Sequence, residues 1–244
     1  MTAFGQPHRH HRRTDSTNAC ARELALVGAP GGLVVTAEEQ SAGRGRQGRS
    51  WFAPAGASLL YSALLRPLGE RPLLPLAVPL AVCEAAESLA PEVRCGLKWP
   101  NDVWIEGRKV AGVLIESRAG SDSWAVIGVG LNVAVPREAF PAELAGRATS
   151  LAAERDGREK GGDEPAVADA LATLNRALAR WVDEPAEHVL SSFRERDALA
   201  GRRIGWDGGE GEAAGIDDEG HLLVRTDSGE TVALGAGEVH LSLD

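Results

Sequence analysis

Cysteine is scarce in this chain, with three residues among 244, and none of them has the spacing of a metal site. Cys20, Cys83 and Cys95 form an odd, sparse set, which argues against a disulfide-stapled secreted domain and favours a reducing compartment. Long apolar runs are also missing. The longest, over residues 73–82, is broken by prolines and too short to span a bilayer. The first residues contain no apolar stretch typical of a signal peptide, so we expect a cytoplasmic protein.

Basic residues are outnumbered in this sequence. There are 26 Lys and Arg against 35 Asp and Glu, which gives a formal net charge of −9. An acidic balance argues against a nucleic-acid-binding protein, although a local basic patch could still exist. The length allows one large domain, or one large and one small, and 43% hydrophobic residues is ordinary for a globular protein. Function must therefore be read from local motifs.

The segment over residues 43–51, GRGRQGRSW, concentrates arginine and glycine and spells G-x-G-x-x-G. A dinucleotide-binding turn of that pattern needs a strand before it, a helix opening at it and an acidic residue about 20 positions later. Residues 33–37 supply the strand. No helical period follows Gly48, and no Asp or Glu occurs between Gln40 and Glu70. The dinucleotide interpretation is therefore not favoured.

The same segment has the chemistry of an anion-binding loop. Glycines let a ligand approach the backbone closely, and arginines offer planar forks of donors suited to carboxylate and phosphate. A solvated basic turn is the simpler alternative. The surrounding acidic chain and the flanking Gln40 and Trp51 favour the anion site.

The hydrophobic pattern predicts an α/β region followed by a small β unit. The predicted elements are a helix over 19–26 capped at 16–18, strands over 33–37, 58–65 and 123–133, a buried helix over 72–90, a hairpin over 97–117, a mobile loop over 151–165, helices over 166–181 and 185–199, and short strands after Gly201. Gly128 and Gly130 interrupt a strand, which often marks the close approach of a ligand or another backbone. His8, His10 and His11 are expected in a frayed, solvated terminus rather than in a metal site.

Five motifs in this order resemble those of the biotin–protein ligases. They are Asp15-Ser16-Thr17-Asn18, Gln40 with residues 43–51, Lys98-Trp99-Pro100-Asn101-Asp102, Lys109-Val110-Ala111-Gly112, and Gly128-Val129-Gly130-Leu131-Asn132. Each motif alone is weak, but the set covers nearly all of residues 15–133 and its order is specific.

The resemblance implies an α+β fold. A mixed-sheet catalytic domain, like that of class II aminoacyl-tRNA synthetases, is expected over 1–197, and a small SH3-like β-barrel over 198–244. Only about fourteen residues precede the Ser-Thr-Asn motif, whereas many bacterial members carry an N-terminal helix-turn-helix domain. The resemblance therefore implies the monofunctional type, with no specific DNA binding, and the short apolar runs predict no membrane association.

Family chemistry implies two steps, with ATP and biotin as substrates and Mg²⁺ as the accompanying cation. The biotin carboxylate attacks the α-phosphate of ATP, and a lysine of a biotin carboxyl carrier protein then takes the biotinyl group. By resemblance, Arg44, Arg46 and Lys109 are the catalytic residues, because fixed cations can screen the carboxylate from the triphosphate and stabilise charge in the transition state.

The resemblance also assigns binding residues. The biotin set is Ser16, Thr17, Asn18, Gln40, Gly43, Arg44, Gly45, Arg46, Lys109, Gly112, Gly128 and Gly130. The ATP set is Arg46, Trp51, Lys98, Asn101, Asp102 and Asn132. Simpler alternatives stay open: an N-cap for Ser16 and Thr17, packing for the three strand glycines, core packing for Trp51 and a surface ion pair for Lys98. Asp102 could assist a metal or the incoming lysine, and the metal ligands are unknown.

Two other functions are weighed against this one. A lipoate–protein ligase or octanoyltransferase shares the fold by family knowledge, but the Gly/Arg loop and the Lys-Trp-Pro-Asn-Asp run match the biotin group. A non-catalytic anion-binding protein is the second alternative, and it predicts no biotin-dependent exchange between ATP and pyrophosphate. The oligomeric state stays open, and a homodimer formed through a sheet edge is compatible with the sequence.

Overall fold

The computed structural model describes residues 2–155 and 165–241. The helices are α1 Thr17–Leu26, α2 Leu74–Leu89, α3 Leu151–Arg155, α4 Val167–Trp181 and α5 Ala186–Arg196. The strands are β1 His8–Thr14, β2 Val34–Gln40, β3 Ser58–Leu65, β4 Gly96–Lys98, β5 Asp102–Ile105, β6 Arg108–Arg118, β7 Trp124–Asn132, β8 Arg203–Trp206, β9 Gly209–Ile216, β10 Leu222–Thr226, β11 Thr231–Leu234 and β12 His240–Leu241. No helix among the described residues is long and apolar enough to cross a membrane.

A seven-stranded mixed sheet forms the larger part of the fold, in the order β1-β2-β3-β7-β6-β5-β4. β1 and β2 run parallel, and the other pairs are antiparallel. Side chains alternate between the two faces along each strand, so neighbouring residues of β7 serve different layers. Ile127, Val129 and Leu131 belong to the large core, which includes the buried side of α2 and α4. This face supplies most of the apolar burial that stabilises the domain.

The opposite face of the sheet is covered differently. α1 contacts β2, β3 and β7 there. Ala21 and Ala25 of this helix pack with Val35, Leu64 and Val126 in a separate, smaller core. Beyond this helix the same face carries Gly112, Gly128 and Gly130. These glycines let the side chains of Asn18 and Trp51 lie directly on the sheet backbone.

The N-terminal histidines lie in an ordered strand, so the prediction of a frayed terminus is wrong. β1 pairs in parallel with β2, from His8 opposite Val34 to Thr14 opposite Gln40. His8 Nε2 and His10 Nδ1 lie 2.8 and 3.0 Å from Thr36 Oγ1. Backbone pairing and these side-chain hydrogen bonds order a segment whose composition shows no apolar alternation.

Other predicted boundaries also change. The predicted hairpin over 97–117 is a three-stranded meander, because Trp99-Pro100-Asn101 forms a turn between β4 and β5. The predicted mobile loop over 151–165 begins with the buried helix α3, and residues 156–164 lie outside the described part. The remaining predicted helices and strands up to β11 are confirmed within a few residues, and β12 was not predicted.

The C-terminal strands form a five-stranded antiparallel sheet, β11-β10-β9-β8-β12, consistent with the expected SH3-like fold. This sheet packs against the larger domain. Trp99 Nε1 donates a hydrogen bond to the Gly220 carbonyl at 3.1 Å, and Ile204, Ile216 and Leu222 belong to the same apolar core as α2. The small domain is therefore joined to the sheet end that carries β4 and β5.

Asp197 offers a test of charge burial at this junction. It ends α5, where the helix dipole disfavours an anion, and burial raises the pKa of its carboxyl. Replacing it by asparagine is expected to raise the free energy of unfolding at neutral pH by about 0.3–1 kcal/mol. The folded-state pKa lies above the unfolded one, so the wild type loses stability as pH rises through it. Urea unfolding of the wild type and the asparagine variant at neutral pH and near pH 4 checks this. If the variant is more stable than the wild type by the same amount at both pH values, the prediction is contradicted.

Candidate active site

Three glycines form the floor of the candidate site on the face of the sheet that carries α1. Gly112 of β6 pairs directly with Gly130 of β7, and Gly128 lies two residues along the same strand. A Cβ on Gly130 would lie 2.8 Å from Trp51 Nε1, and one on Gly128 would lie 2.8 Å from Asn18 Cγ. Real Cβ atoms do not come this close to other atoms. The groups that approach these glycines are side chains, whereas the prediction was a ligand or another backbone, so a ligand at this position stays a prediction.

A buried polar cluster adjoins Gly128. Gln40 Oε1 accepts hydrogen bonds from the Thr17 backbone N–H at 2.7 Å and from Thr17 Oγ1 at 3.1 Å. Ser62 Oγ lies 2.8 Å from Thr17 Oγ1 and 2.6 Å from Asn18 Oδ1. These contacts fix the orientation of the Gln40 amide with its oxygen toward α1. The cluster is thus a preorganised set of donors and acceptors beside the glycine floor.

Ser16 takes a different place from the other members of its motif. It is 2% exposed and begins α1, but its hydroxyl does not cap the helix. Its backbone N–H donates to Asp15 Oδ1 at 2.6 Å. This bond is the largest cause that lowers the pKa of Asp15, and Arg44 contributes to the same shift. Ser16 therefore holds the predicted N-cap position, but its side chain does not make the capping hydrogen bond.

A cluster of charged groups lies at the other end of the glycine floor. Lys109 Nζ forms an ion pair with Asp102 Oδ1 at 2.6 Å, and a Cβ on Gly112 would lie 3.1 Å from the same nitrogen. Lys98 Nζ lies 5.4 Å from the centre of the Trp104 ring. Burial lowers the pKa of Lys98, with Lys109 and Arg49 adding to the shift and Asp102 opposing it. These cations repel one another and favour an added anion.

The Gly/Arg loop forms a hairpin-like turn over this cluster, with a single 3-10 turn over Arg46–Gly48 in place of the start of an α-helix. The backbones of Arg44 and Ser50 pair in an isolated antiparallel β-bridge, and the Gly45 N–H donates to the Arg49 carbonyl at 2.7 Å. Arg46 Nη1 donates to Asn101 Oδ1 at 3.3 Å. Arg49 forms an ion pair with Glu238 of the C-terminal domain. The loop therefore contacts the turn between β4 and β5 through Arg46 and the C-terminal domain through Arg49.

Trp51, at the end of this loop, covers the glycine floor. Besides its contact with Gly130, its ring would lie 3.2 Å from a Cβ on Gly112, and Lys109 Nζ is 5.6 Å from the ring centre. Among the described residues, none accepts a hydrogen bond from its buried indole N–H. The Trp51 ring and the Lys109 stem thus lie directly on Gly112 and Gly130, and this covered strip above the two glycines is named the slot.

Two asparagines predicted as nucleotide contacts differ in position. Asn101 Nδ2 donates to the Val113 carbonyl at 2.8 Å, and its oxygen faces Arg46, so it lies at the charged cluster. Asn132 is 3% exposed, accepts a hydrogen bond from Ser58 Oγ at 3.2 Å and donates to the Thr149 carbonyl at 2.9 Å. Both ends of the Asn132 amide are thus used inside the protein. The structure buries it at the end of β7, and its contact with the nucleotide stays a prediction.

The predicted set missed three contributors. Ser62 interrupts an apolar strand on the face that Leu60 and Leu64 share, and that alternation was the available signal. Glu116 binds both Asn18 and Arg22, and its position on the glycine face of β6 was the signal for it. The contact of Glu238 with the Gly/Arg loop joins residues 189 positions apart, which no local pattern reports.

Other features of the described residues lie away from this site. Two grooves of about 350 and 290 Å³ lie beside Trp181 on the helical side of the sheet, and neither includes a predicted site residue. Asp217, Glu219 and His221 bring three potential metal ligands together in the C-terminal domain. The Asp217 carboxylate there accepts the backbone N–H groups of Glu219 and His221. That arrangement stabilises a turn.

Two family models match the chain. Residues 11–132 match the biotin/lipoate A/B protein ligase family, and residues 210–242 match the biotin protein ligase C-terminal domain. The first match spans the motifs that form the glycine floor, the polar cluster and the charged cluster. The second covers most of the described C-terminal sheet, from within β9 to the end of β12.

Relatives match over most of the chain. A biotin–[acetyl-CoA-carboxylase] ligase of Paracoccus denitrificans is 37% identical over 90% of this chain and 95% of its own. One of Mycobacterium tuberculosis is 36% identical over 93% and 86%. Among solved structures, a biotin protein ligase of Aquifex aeolicus in complex with biotin and ATP has a TM-score of 0.76 at 28% identity, covering 98% of this chain and all of that one.

Proposed function

This chain belongs to the biotin protein ligase family and is a ligase enzyme, and we propose that its glycine-floored site activates biotin with ATP and transfers it to a lysine of a carrier protein. The observation that carries this is the continuous arrangement of polar cluster, glycine floor and charged cluster on one face of the sheet. A lipoate ligase and a non-catalytic anion-binding protein are not favoured, since the C-terminal match and these relatives are biotin ligases.

The ureido head of biotin would bind at the polar cluster. Gln40 leaves its amide nitrogen as a donor, and Asn18 Oδ1 keeps one lone pair beyond its contact with Ser62. The aliphatic tail would then run over Gly128 and Gly130, which are about 7 Å apart along the strand. Trp51, whose ring lies on Gly130 in this structure, would move to admit this tail and then cover it, and Lys109 would receive the carboxylate at its end.

Activation joins two anions, so the charged cluster has the main task. The biotin carboxylate oxygen attacks the α-phosphorus, a C–O–P link forms, and the bond to the β-phosphate oxygen breaks to release pyrophosphate. Lys109, Arg44 and Arg46 would screen the repulsion and stabilise charge on the α-phosphate oxygens. Lys98 and Asn101 would contact the nucleotide from β4 and the turn after it. Asp102 neutralises Lys109 until the substrates arrive.

The oxygen ligands near the charged cluster suit a hard cation that is bound mainly by the phosphates of the nucleotide. Asp102 and Glu238 are the carboxylates that contact cations of this cluster among the described residues. Mg²⁺ typically keeps one or two protein carboxylates together with substrate phosphates, and Asp102 would be its ligand here. When bound, Mg²⁺ neutralises phosphate charge.

In the second step the carrier lysine attacks the acyl carbon, an amide bond forms, and AMP leaves with the phosphate oxygen. The amine loses its proton to solvent in this step, since Asp102 is already committed to Lys109 and the metal. We further propose a biotin carboxyl carrier protein as the partner, a cytoplasmic location and a domain boundary between residues 197 and 198. Support for that boundary is the end of α5 at Arg196 and the start of β8 at Arg203.

Biotin-dependent exchange of labelled pyrophosphate into ATP tests the first step directly. We expect exchange with biotin and little with lipoate or octanoate, followed by label transfer from biotin to a carrier domain. Exchange with lipoate in place of biotin would overturn the substrate assignment. Absence of exchange with all three acids would favour the non-catalytic anion-binding alternative.

Replacing Arg46 by glycine is expected to release the adenylate early while leaving the fold intact. Its described hydrogen bond is a single contact with Asn101 at 3.3 Å, so little native stability depends on it. The loop would hold the acyl phosphate away from water, and losing one charged donor should raise the adenylate dissociation rate about tenfold or more. Chasing labelled adenylate from both proteins measures this. Equal dissociation rates contradict the role of Arg46.

A further inference from the structure

Glu116 of β6 holds the side chain of Asn18 in one orientation. Asn18 Nδ2 donates to Glu116 Oε2 at 2.9 Å and to the Leu114 carbonyl at 3.3 Å. Arg22 Nη1 donates to the other carboxylate oxygen of Glu116 at 3.3 Å. The two amide hydrogens of Asn18 are therefore both used, and the carboxylate that takes one of them is itself held by a cation from the next turn of α1.

This arrangement determines what Asn18 can offer a ligand. An amide has two donors at nitrogen and two lone pairs at oxygen, and its two ends are nearly equal in shape. An ionised carboxylate can only accept, so it excludes the flipped amide, which would place oxygen against oxygen. Ser62 takes one lone pair of Oδ1 at 2.6 Å. The remaining lone pair, beside Gly128, makes Asn18 an acceptor for an N–H group.

We propose that Glu116, supported by Arg22, is a positioning residue that fixes Asn18 as an acceptor for a ureido N–H of biotin. The proposal rests on the proposed function, which places the biotin head at the polar cluster. Glu116 acts through Asn18, so its contribution to biotin binding depends on the Asn18 side chain. A carboxylate that merely stabilised β6 would contribute whether or not Asn18 were present.

A double-mutant cycle separates these roles, with biotin dissociation constants measured by calorimetry on the full chain. Glu116→Ala is expected to raise the constant about tenfold, the effect of losing a hydrogen bond to a charged group. When Asn18 is already alanine, Glu116→Ala is expected to raise the biotin dissociation constant less than about twofold further. Glu39→Ala is the matched control. Glu39 is a carboxylate of β2 that forms an ion pair with Arg13 at 3.5 Å and has no hydrogen bond to Asn18 among the described contacts. It should leave the constant unchanged.

A second variant protects the test against misfolding. Glu116→Gln keeps the side-chain volume but can donate as well as accept, so it permits the flipped amide and is expected to weaken biotin binding without changing the KM for ATP. An unchanged biotin constant in both Glu116 variants, or an equal loss with and without Asn18, overturns the proposal. Absence of biotin binding by the wild-type protein would instead overturn the proposed function.

Discussion

Replacing Lys109 by methionine is expected to lower biotin-dependent ATP–pyrophosphate exchange about 100- to 1000-fold, the usual loss when one preorganised transition-state donor is removed. Methionine keeps an unbranched stem against Gly112 and Trp51, so the slot retains its shape. The charge is lost, and Asp102 then stands without its partner at 2.6 Å. The carboxylate and triphosphate would repel each other with one cation fewer between them.

Arg118→Gln is the matched control for this variant. Arg118 is an exposed cation at the other end of the same strand, so its loss changes net charge by the same amount. We expect its exchange rate to stay within about twofold, because exposed charges separated by more than a Debye length are screened. A loss in Lys109→Met confined to the KM for ATP, with unchanged kcat, would contradict a role for Lys109 in stabilising the transition state.

Replacing Gly128 by alanine is expected to weaken biotin binding about 100-fold. The new methyl group would lie 2.8 Å from Asn18 Cγ, closer than real Cβ atoms come to another atom. Asn18 must then move away from Ser62 or Glu116, and the buried polar cluster loses its geometry. Overpacking of this kind typically costs about 1–3 kcal/mol, before any direct collision with the ligand.

Gly205→Ala serves as the comparison for Gly128→Ala. A Cβ on Gly205 would meet only the Gly209 carbonyl at 3.9 Å, an ordinary contact. Calorimetric titration with biotin and a thermal unfolding curve should be recorded for both variants. Near-wild-type biotin affinity in Gly128→Ala would mean that the head group binds elsewhere. A fall in melting temperature without a change in affinity would reduce the glycine to a packing role.

The strongly patterned parts of the fold could be predicted from the sequence. Residues 58–65 are mostly apolar, with Ser58 and Ser62 as the polar members, and they form the strand β3 with the predicted bounds. Its neighbour β7 was predicted within one residue at each end. β1 escaped prediction because arginine and histidine dominate it, and its order depends on pairing with β2, a contact between distant residues. Local patterns do not report such tertiary contacts.

The candidate site was predictable as a set of motifs but not as a geometry. Thr17, Asn18 and Gln40 come together as expected, since each lies at the start of α1 or the end of β2. Nothing in the sequence indicated that Trp51 would lie on Gly112 and Gly130. These positions depend on strand register, which sets the partners of each residue only after the sheet has formed.

The alternation along β7 makes correct folding and chemical competence depend on the same register. Ile127, Val129 and Leu131 face the apolar core, while Gly128 and Gly130 between them floor the slot. A slip of one residue would put glycines into the core and branched side chains into the slot. Such a misfolded chain would be unstable and also unable to accommodate the biotin tail. A molecule with slipped register would therefore unfold and would not persist as an enzyme of altered specificity.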